Sequence, residues 1–232
     1  MMLFLRNLSF YLTFYLVSPI YIIAAVLVMY FSVTALRRWV RRWCHFHRWC
    51  LRVFIGIEIR VEGEIVDGAV FYAIKHESFF EAIDAPANFN WPAPFAKREL
   101  FFIPGWGWAA QVYGCVPVAR KEGAKALRAM VAAAKRLAAQ DRPLVIFPEG
   151  TRIQHGERGE LRAGFAGLYK LIGIPVIPVA VNSGPLYHRI LKRPGTITYR
   201  FGEAIPPGLP RKEVEARVLK EINILNDVPA DR

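Results

Sequence analysis

The stretch FYAIKHESFFE, residues 71–81, places a histidine and a carboxylate at the end of an apolar run. Residues 71–74 are predicted to form a buried strand, and a helix is expected to begin near Phe79. A histidine on such a strand-to-helix turn is held in one position, and a carboxylate one helical turn further on can accept from its ring N–H. The spacing therefore predicts that His76 is a general base oriented by Glu81. The same spacing also fits a histidine that only packs at the turn beside a solvated glutamate.

On both sides of this turn, short apolar runs alternate with helical segments. Strands are predicted at residues 57–61, 69–74, 114–118, 144–147, 175–181 and 195–201, and further helices at residues 122–139, 163–173 and 211–225. Alternation of strands with helices of this length predicts an α/β fold, with a mixed, mostly parallel central sheet and helices on both of its faces.

The composition favours a lipid surface or an anionic substrate over nucleic acid as a partner. Of the 232 residues, 54% are apolar, and yet the formal net charge is +12. A chain that is both apolar and basic suits anionic lipids. The three cysteines predict no disulfide framework, which fits a reducing compartment. Cys44, His47 and Cys50 share a helical spacing but match no zinc pattern, so no metal site is expected.

The N-terminal part of the chain has the composition of a membrane element. Residues 7–36 carry no charge, and this segment is long enough to cross a hydrocarbon layer of about 30 Å. Because Pro19 disfavours helical geometry before it, two shorter helices that enter one leaflet are the alternative. In residues 37–52 arginines alternate with tryptophans, which predicts an interfacial helix on the cytoplasmic side. Residues 1–52 are therefore predicted to anchor a catalytic domain, residues 53–232, to the cytoplasmic face of the inner membrane.

A second polar loop, FPEGTR at residues 147–152, follows the predicted strand at residues 144–147. Ligands of open α/β sheets bind beyond the carboxyl ends of the strands, so this loop and His76 are expected at the same edge. A glycine admits close backbone approach, a hydroxyl can donate, and an arginine can bind phosphate bidentately. The substrate-binding residues predicted in and after this loop are Glu149, Gly150, Thr151, Arg152 and Arg162.

An aromatic run interrupted by charges, FAKRELFFIPGWGW, occupies residues 95–108. It is consistent with a pocket wall, with a lip that faces the membrane, or with an ordinary strand and turn packed on the core. In the first two cases a basic residue stands at the mouth of the site, and Lys97 is the predicted substrate contact.

Four of these segments resemble the motifs of the PlsC-type 1-acylglycerol-3-phosphate (lysophosphatidic acid) acyltransferases. The histidine followed after four residues by an acid is similar to HESFFE at residues 76–81, and the basic-Glu-Leu and Pro-x-x-Gly motif to residues 97–107. FPEGTR at residues 147–152 matches in full, and the apolar strand with an internal proline resembles residues 176–180. The order and spacing agree over about residues 57 to 205. The departure is Glu81, where most members carry aspartate, and the added methylene is expected to preserve the pair.

The resemblance implies acyl transfer from acyl-ACP or acyl-CoA to the sn-2 hydroxyl of lysophosphatidic acid, which gives phosphatidic acid. His76 would take the hydroxyl proton, Glu81 would orient the imidazole, and Arg152 with Lys97 would hold the phosphate of the acceptor. Apart from the thioester co-substrate, no cofactor is expected. The expected partners are membrane lipids, the lysophospholipid, and acyl carrier protein or CoA. The alternatives are another lysolipid, such as lyso-ornithine lipid, a membrane-bound acyl-thioesterase, or a non-catalytic basic adaptor.

Overall fold

A central sheet organises the computed structural model, which describes residues 1–118 and 123–227. In these residues the sheet has seven strands in the order β1-β7-β6-β2-β5-β3-β4. The strands are β1 Ile57–Glu62, β2 Phe71–Ile74, β3 Ala93–Lys97, β4 Val116–Val118, β5 Leu144–Ile146, β6 Val176–Val181 and β7 Gly195–Phe201. Every neighbouring pair is parallel except β6 and β7, which are antiparallel. The prediction of a mixed, mostly parallel sheet is confirmed.

Helices connect the strands, and those predicted near Phe79, at residue 163 and at residue 211 begin within one residue of the predicted positions. They are α1 Met2–Met29, α2 Val33–Cys50, α3 Phe80–Asn88, α4 Trp106–Tyr113, α5 Gly123–Ala138, α6 Ala163–Ile172, α7 Gly184–Tyr187 and α8 Arg211–Ile222. A π-helical turn, Leu51–Ile55, and a 3-10 turn, Arg98–Phe102, complete the regular structure. The predicted helix at residues 122–139 has its first residue outside the described part of the chain. The closing helix ends three residues earlier than expected.

Helices cover both faces of the sheet because successive strand residues point to opposite sides. In β2, Tyr72 and Ile74 pack in one core with residues of α1, α3 and α7. Phe71 and Ala73 pack in a second core with residues of α5, α6 and α8. The strand is buried throughout, which explains its continuous apolar sequence.

The N-terminal segment forms a hairpin of two helices that divides at Ser32 and not at Pro19. Helix α1 continues through Pro19 to Met29. The Ser32 hydroxyl accepts from the backbone N–H of Ala35 at 3.2 Å and so caps α2. The alternative of a break at the proline is therefore wrong. A helix end needs its free N–H groups satisfied, and Ser32 supplies an acceptor where the proline supplies none.

The hairpin packs against the rest of the chain along its whole length. Near the start of α1, Asn7 exchanges two hydrogen bonds with the backbone of Lys192, at 2.7 and 3.0 Å. In α2, Arg48 donates to both carboxylate oxygens of Asp84 in α3, at 2.6 and 2.7 Å. Near the end of α1, Gly105 lies so close that a side chain there would meet α1. The division into domains at residue 52 stays a prediction.

The outward face of α1 is apolar and exposed. In the described residues, α1 is long and apolar enough to cross a membrane, judged by length and composition, and most of its surface is not buried. Its exposed residues include Leu5, Leu12, Leu16, Ile20, Ile23 and Leu27. An apolar surface of this extent indicates membrane association.

Candidate active site

Three neighbouring parallel strands bring the predicted site residues to one edge of the sheet. His76 follows β2, the loop at residues 149–152 follows β5, and Lys97 is the last residue of β3. Strand β5 pairs with both β2 and β3. Because neighbouring strands lie about 4.8 Å apart, the ends of β2 and β3 are roughly 10 Å apart. The structure thus places the histidine, the FPEGTR loop and Lys97 at the carboxyl ends of three adjacent strands.

The His76 imidazole is fixed from two sides. Its Nδ1 lies 3.0 Å from Oε2 of Glu81, which is fully buried. Its ring stacks on Phe147, with centroids 4.1 Å and planes 18° apart. When Glu81 accepts from Nδ1–H, the lone pair of Nε2 is left to accept a proton. The expected contact between the two residues is present, and a solvated Glu81 is excluded.

Two serines fix the Glu81 carboxylate. The backbone N–H of Ser78 donates to Oε2 at 3.0 Å, and the Ser183 hydroxyl donates to Oε1. The Ser78 and Ser183 hydroxyl oxygens lie 2.6 Å apart, so they can also bond each other. The carboxylate occupies the first turn of α3, where the helix dipole favours negative charge.

Ser183 is a site residue that the sequence reasoning missed. It lies 102 residues from Glu81 along the chain. The available signal was its position two residues after β6, because β6 pairs in parallel with β2 and so ends at the same edge.

A buried ion pair fixes the backbone of His76. Oε2 of Glu149 accepts from the His76 backbone N–H at 3.1 Å, and Lys75 Nζ lies 3.4 Å from Oε1. Lys75 also donates to Oδ1 of Asn223 at 2.6 Å. Burial raises the pKa of the Glu149 carboxyl, and the charge of Lys75 opposes that rise. Glu149 points into the protein, so its contacts are those of a positioning residue; its role as a substrate contact stays a prediction.

A second histidine–glutamate pair lies beside the first. Nδ1 of His155 is 2.9 Å from Oε1 of Glu77, and the backbone N–H of Gly184 donates to Oε2 at 2.8 Å. Burial raises the pKa of the Glu77 carboxyl, while its hydrogen bonds with His155 and Gly184 oppose the rise. Sequence reasoning missed this pair because its members are 78 residues apart.

The remaining predicted residues lie on the loop that follows β5, whose Ile153 backbone N–H donates to the His76 C=O at 2.8 Å. Thr151 and Arg152 are exposed, and the Arg152 guanidinium carbon lies 4.2 Å from the centre of the Phe79 ring. Gly150 has a φ of +67°, and a side chain there would come within 2.7 Å of Arg162. A glycine is therefore required for the loop to turn beneath that arginine. Two exposed arginines, Arg152 and Arg162, thus lie on the loop that contacts the His76 backbone.

In the described part of the chain, the helical spacing of Cys44, His47 and Cys50 does not bring these side chains together as a metal-holding group. Within residues 1–118 and 123–227, no group of three His, Cys, Asp or Glu side chains is arranged to hold a metal ion. His47 is buried, and its Nε2 lies 3.0 Å from the Tyr187 hydroxyl. Burial lowers the pKa of His47 to about 3, so this histidine is a neutral packing residue.

Known proteins resemble this chain in sequence. The sequence profile of the Acyltransferase family matches residues 58–182, which contain both members of the His76–Glu81 pair. A 1-acyl-sn-glycerol-3-phosphate acyltransferase of Pseudomonas aeruginosa is 32% identical over 170 residues, 72% of this chain and 66% of that protein. One from Helicobacter pylori is 34% identical over 113 residues, 47% of this chain and 46% of that protein.

The fold also has a solved counterpart. The crystal structure of the 1-acyl-sn-glycerophosphate acyltransferase PlsC from Thermotoga maritima superposes with a TM-score of 0.75. The match covers 99% of this chain and 100% of that one, at 22% identity, and therefore concerns the fold. The profile match covers more than half of the chain, and the Pseudomonas protein supports it. The chain therefore belongs to the acyltransferase family.

Proposed function

We propose that this chain transfers a fatty acyl group from acyl-ACP or acyl-CoA to the sn-2 hydroxyl of lysophosphatidic acid, giving phosphatidic acid. One observation carries the proposal. In a chain of the acyltransferase family, a histidine oriented by the buried Glu81 carboxylate stands at the same sheet edge as the loop that carries the exposed Arg152. The names of the Pseudomonas and Helicobacter relatives supply the acceptor.

In this proposal His76 is the general base and the acceptor lipid is the nucleophile. Nε2 takes the proton of the acceptor hydroxyl while its oxygen attacks the thioester carbonyl carbon, and Glu81 stabilises the imidazolium that results. When the tetrahedral intermediate collapses, the carbon–sulfur bond breaks and the imidazolium returns the proton to the departing thiolate. Ser78 is not a nucleophile here, because its hydroxyl faces Glu81 and Ser183 within the buried network.

Cationic residues at the same edge would hold the phosphate of the acceptor. Arg152 offers a planar fork that can bind two phosphate oxygens, and Lys97 and Arg162 add positive charge. Thr151 and the backbone amides near Gly150 can donate further hydrogen bonds. Binding the phosphate fixes the distance between the acceptor hydroxyl and His76. The proposal requires no cofactor apart from the thioester.

The proposal also places the enzyme at the inner membrane, with the site on the cytoplasmic side. Both halves of α1 contact the rest of the chain, near Lys192 and near Gly105, while its opposite face is apolar and exposed. A helix held in this way would lie along the membrane surface and not project across it. The net charge of +12 suits an anionic leaflet.

The test is an assay of the purified full chain in which each donor, acyl-ACP and acyl-CoA, is offered with several lysolipids. We expect acylation of lysophosphatidic acid, and we expect Arg152→Ala to weaken the use of this acceptor by roughly tenfold or more, because a bidentate phosphate contact is lost. Acylation of lyso-ornithine lipid that exceeds that of lysophosphatidic acid, and that Arg152→Ala leaves unchanged, would indicate an acceptor without phosphate. Release of free fatty acid independent of any lysolipid would indicate a thioesterase.

A further inference from the structure

Four apolar side chains beside the proposed site are exposed together. They belong to the 3-10 turn Arg98–Phe102, the residue after it, and α4. We call them the aromatic ridge, and its members and exposed fractions are Leu100 at 38%, Phe102 at 73%, Ile103 at 47% and Trp108 at 55%. Soluble surfaces carry such residues singly, and a contiguous group marks an interaction surface. Because the ridge is exposed, it is not the wall of a closed pocket.

The ridge continues the apolar surface of the N-terminal hairpin. Gly105, between the two halves of the ridge, has a φ of +76°. A side chain at this position would lie 3.3 Å from Val26 and 3.4 Å from Ile22 of α1. On its inner side, α4 shares a small apolar core with the hairpin, formed by Ala25, Leu36, Ala109 and Tyr113. The ridge is therefore held against α1, next to the outward face that indicates membrane association.

The ridge also adjoins the catalytic edge of the sheet. Lys97 ends β3, and the 3-10 turn begins at the next residue, Arg98. Both side chains are exposed. Basic residues favour the level of anionic lipid headgroups, while Trp and Phe side chains favour the zone just beneath them. The basic residues Lys97 and Arg98 are thus followed by the apolar ridge, as the headgroup layer of a bilayer is followed by its hydrocarbon.

We propose that the aromatic ridge inserts into the lipid bilayer as a second membrane contact beside α1. With the ridge below the headgroups, Lys97 lies at the headgroup level, where the phosphate of a lysolipid is found. The acceptor would then reach His76 from the bilayer without leaving it for water. This inference rests on the proposed membrane function, and it adds a site of contact that the hairpin alone does not require.

A single fluorescent label tests the position of the ridge directly. In the full chain, Phe102→Cys is labelled with an environment-sensitive NBD group and mixed with vesicles of phosphatidylglycerol and phosphatidylethanolamine that carry nitroxide-labelled lipids. Leu171→Cys on α6, whose native side chain is 44% exposed, is the matched control. Leu16→Cys on α1 reports membrane association itself. Cys44 and Cys50 are buried, and the parent chain gives the background from Cys115.

We expect a blue shift and nitroxide quenching of the label at positions 102 and 16, and neither at position 171. A signal at position 16 without one at position 102 would overturn the ridge inference and leave the membrane function intact. No signal at either position would count against the membrane function as well. A shift at position 102 that appears without vesicles and grows with protein concentration would show that a second copy covers the ridge, which also overturns the inference.

A substitution provides an independent measure. The double variant Phe102→Ser, Ile103→Ser should bind these vesicles about tenfold more weakly than the parent, because two large apolar side chains no longer enter the lipid. Leu171→Ser should bind as the parent does. Equal binding of the double variant and the parent would contradict the inference, and the melting temperature of each variant shows whether it is folded.

Discussion

Two histidine–glutamate pairs stand side by side in this protein with almost the same geometry. Nδ1 of His76 lies 3.0 Å from Glu81, and Nδ1 of His155 lies 2.9 Å from Glu77. In both pairs the carboxylate is fully buried, and the histidine side chains are 16% and 17% exposed. A distance between a histidine and a carboxylate therefore does not by itself identify a general base.

The surroundings separate the two pairs. The backbone of His76 is bonded on both sides, since its N–H donates to Glu149 and its C=O accepts from Ile153. The residue lies directly after a buried strand, and its ring stacks on Phe147. His155 lies on the irregular loop between β5 and α6, and Glu77 joins this loop to the start of α7. The first pair therefore has the surroundings that the proposed catalysis requires, and the second joins the loop to the start of α7.

Replacement of each histidine in turn should distinguish the two pairs by the largest difference in activity. His76→Ala should reduce kcat by about 10²–10⁴-fold, the usual contribution of a positioned general base. His155→Ala should reduce it by less than about tenfold, because only the position of the loop changes. Acyl transfer by the purified variants measures both effects. A loss in His155→Ala as large as that in His76→Ala would show that the assignment is wrong.

The buried ion pair beneath His76 should have a large effect on stability. Lys75→Met leaves the Glu149 carboxylate buried without its cationic partner, and breaking such a pair costs about 3–5 kcal/mol in the free energy of unfolding. Lys170→Met, which removes an exposed lysine on α6, should change it by less than about 0.5 kcal/mol.

Denaturant unfolding in detergent measures the stability of both lysine variants. A Lys75→Met chain as stable as the Lys170→Met control would mean that the ion pair contributes nothing to the native state.

Loss of the Ser183 hydroxyl should have a moderate effect on activity. Ser183→Ala removes one donor to the Glu81 carboxylate, and a hydrogen bond to a charged group is worth about 1.5–3 kcal/mol. We expect kcat to fall about tenfold with little change in KM, because the residue acts on the base and does not touch the acceptor. Ser183→Thr, which keeps a hydroxyl, should recover part of the loss. A rise in KM with unchanged kcat would instead place Ser183 in acceptor binding.

Ionisation of Glu77, in the second pair, should make a small contribution to the pH dependence of the free energy of unfolding. Burial raises the pKa of Glu77 above its ordinary value of 4.5. Between pH 4.5, the ordinary pKa, and the raised pKa of the folded chain, the folded chain holds a proton on Glu77 that the unfolded chain has released. The free energy of unfolding therefore falls as the pH rises through this window. The fall is about 1.4 kcal/mol for each pKa unit of the shift.

Glu77→Gln cannot ionise and should remove that part of the slope. The difference in unfolding free energy between the parent and Glu77→Gln, measured at several pH values, tests this. A difference that grows in favour of the parent as the pH rises would contradict the sign.

The comparison also shows what a single sequence can reveal. His76 and Glu81 are five residues apart and follow an apolar run, so local spacing predicts their contact. The strand pattern likewise predicts the sheet and places the FPEGTR loop at the same edge. Ser183 and His155 reach the site only because distant segments pack together, and local spacing carries no record of that. Lys75 was missed for another reason: a lysine beside a site suggests a substrate contact, and only the structure reveals its burial against Glu149.

The membrane region gave a different kind of error. Its composition predicts an apolar segment and a basic, tryptophan-rich helix, and both exist as α1 and α2. The position of the break was set by the cap that Ser32 provides, while the helix tolerates Pro19 within it. The sequence at residues 95–108 fits three interpretations, because the exposure of an aromatic side chain depends on what packs against it.

A double-mutant cycle on His76 and Glu81 measures whether the two side chains act together in catalysis. In the parent chain, Glu81→Gln should lower kcat/KM by about 10²-fold or more, since the orienting carboxylate is lost. If the two residues act as one unit, the same change in a His76→Ala chain should cost less than about threefold. In a His155→Ala chain it should keep its full effect. Losses that multiply in the His76→Ala, Glu81→Gln chain would contradict the account, because Glu81 would then act independently of the histidine it contacts.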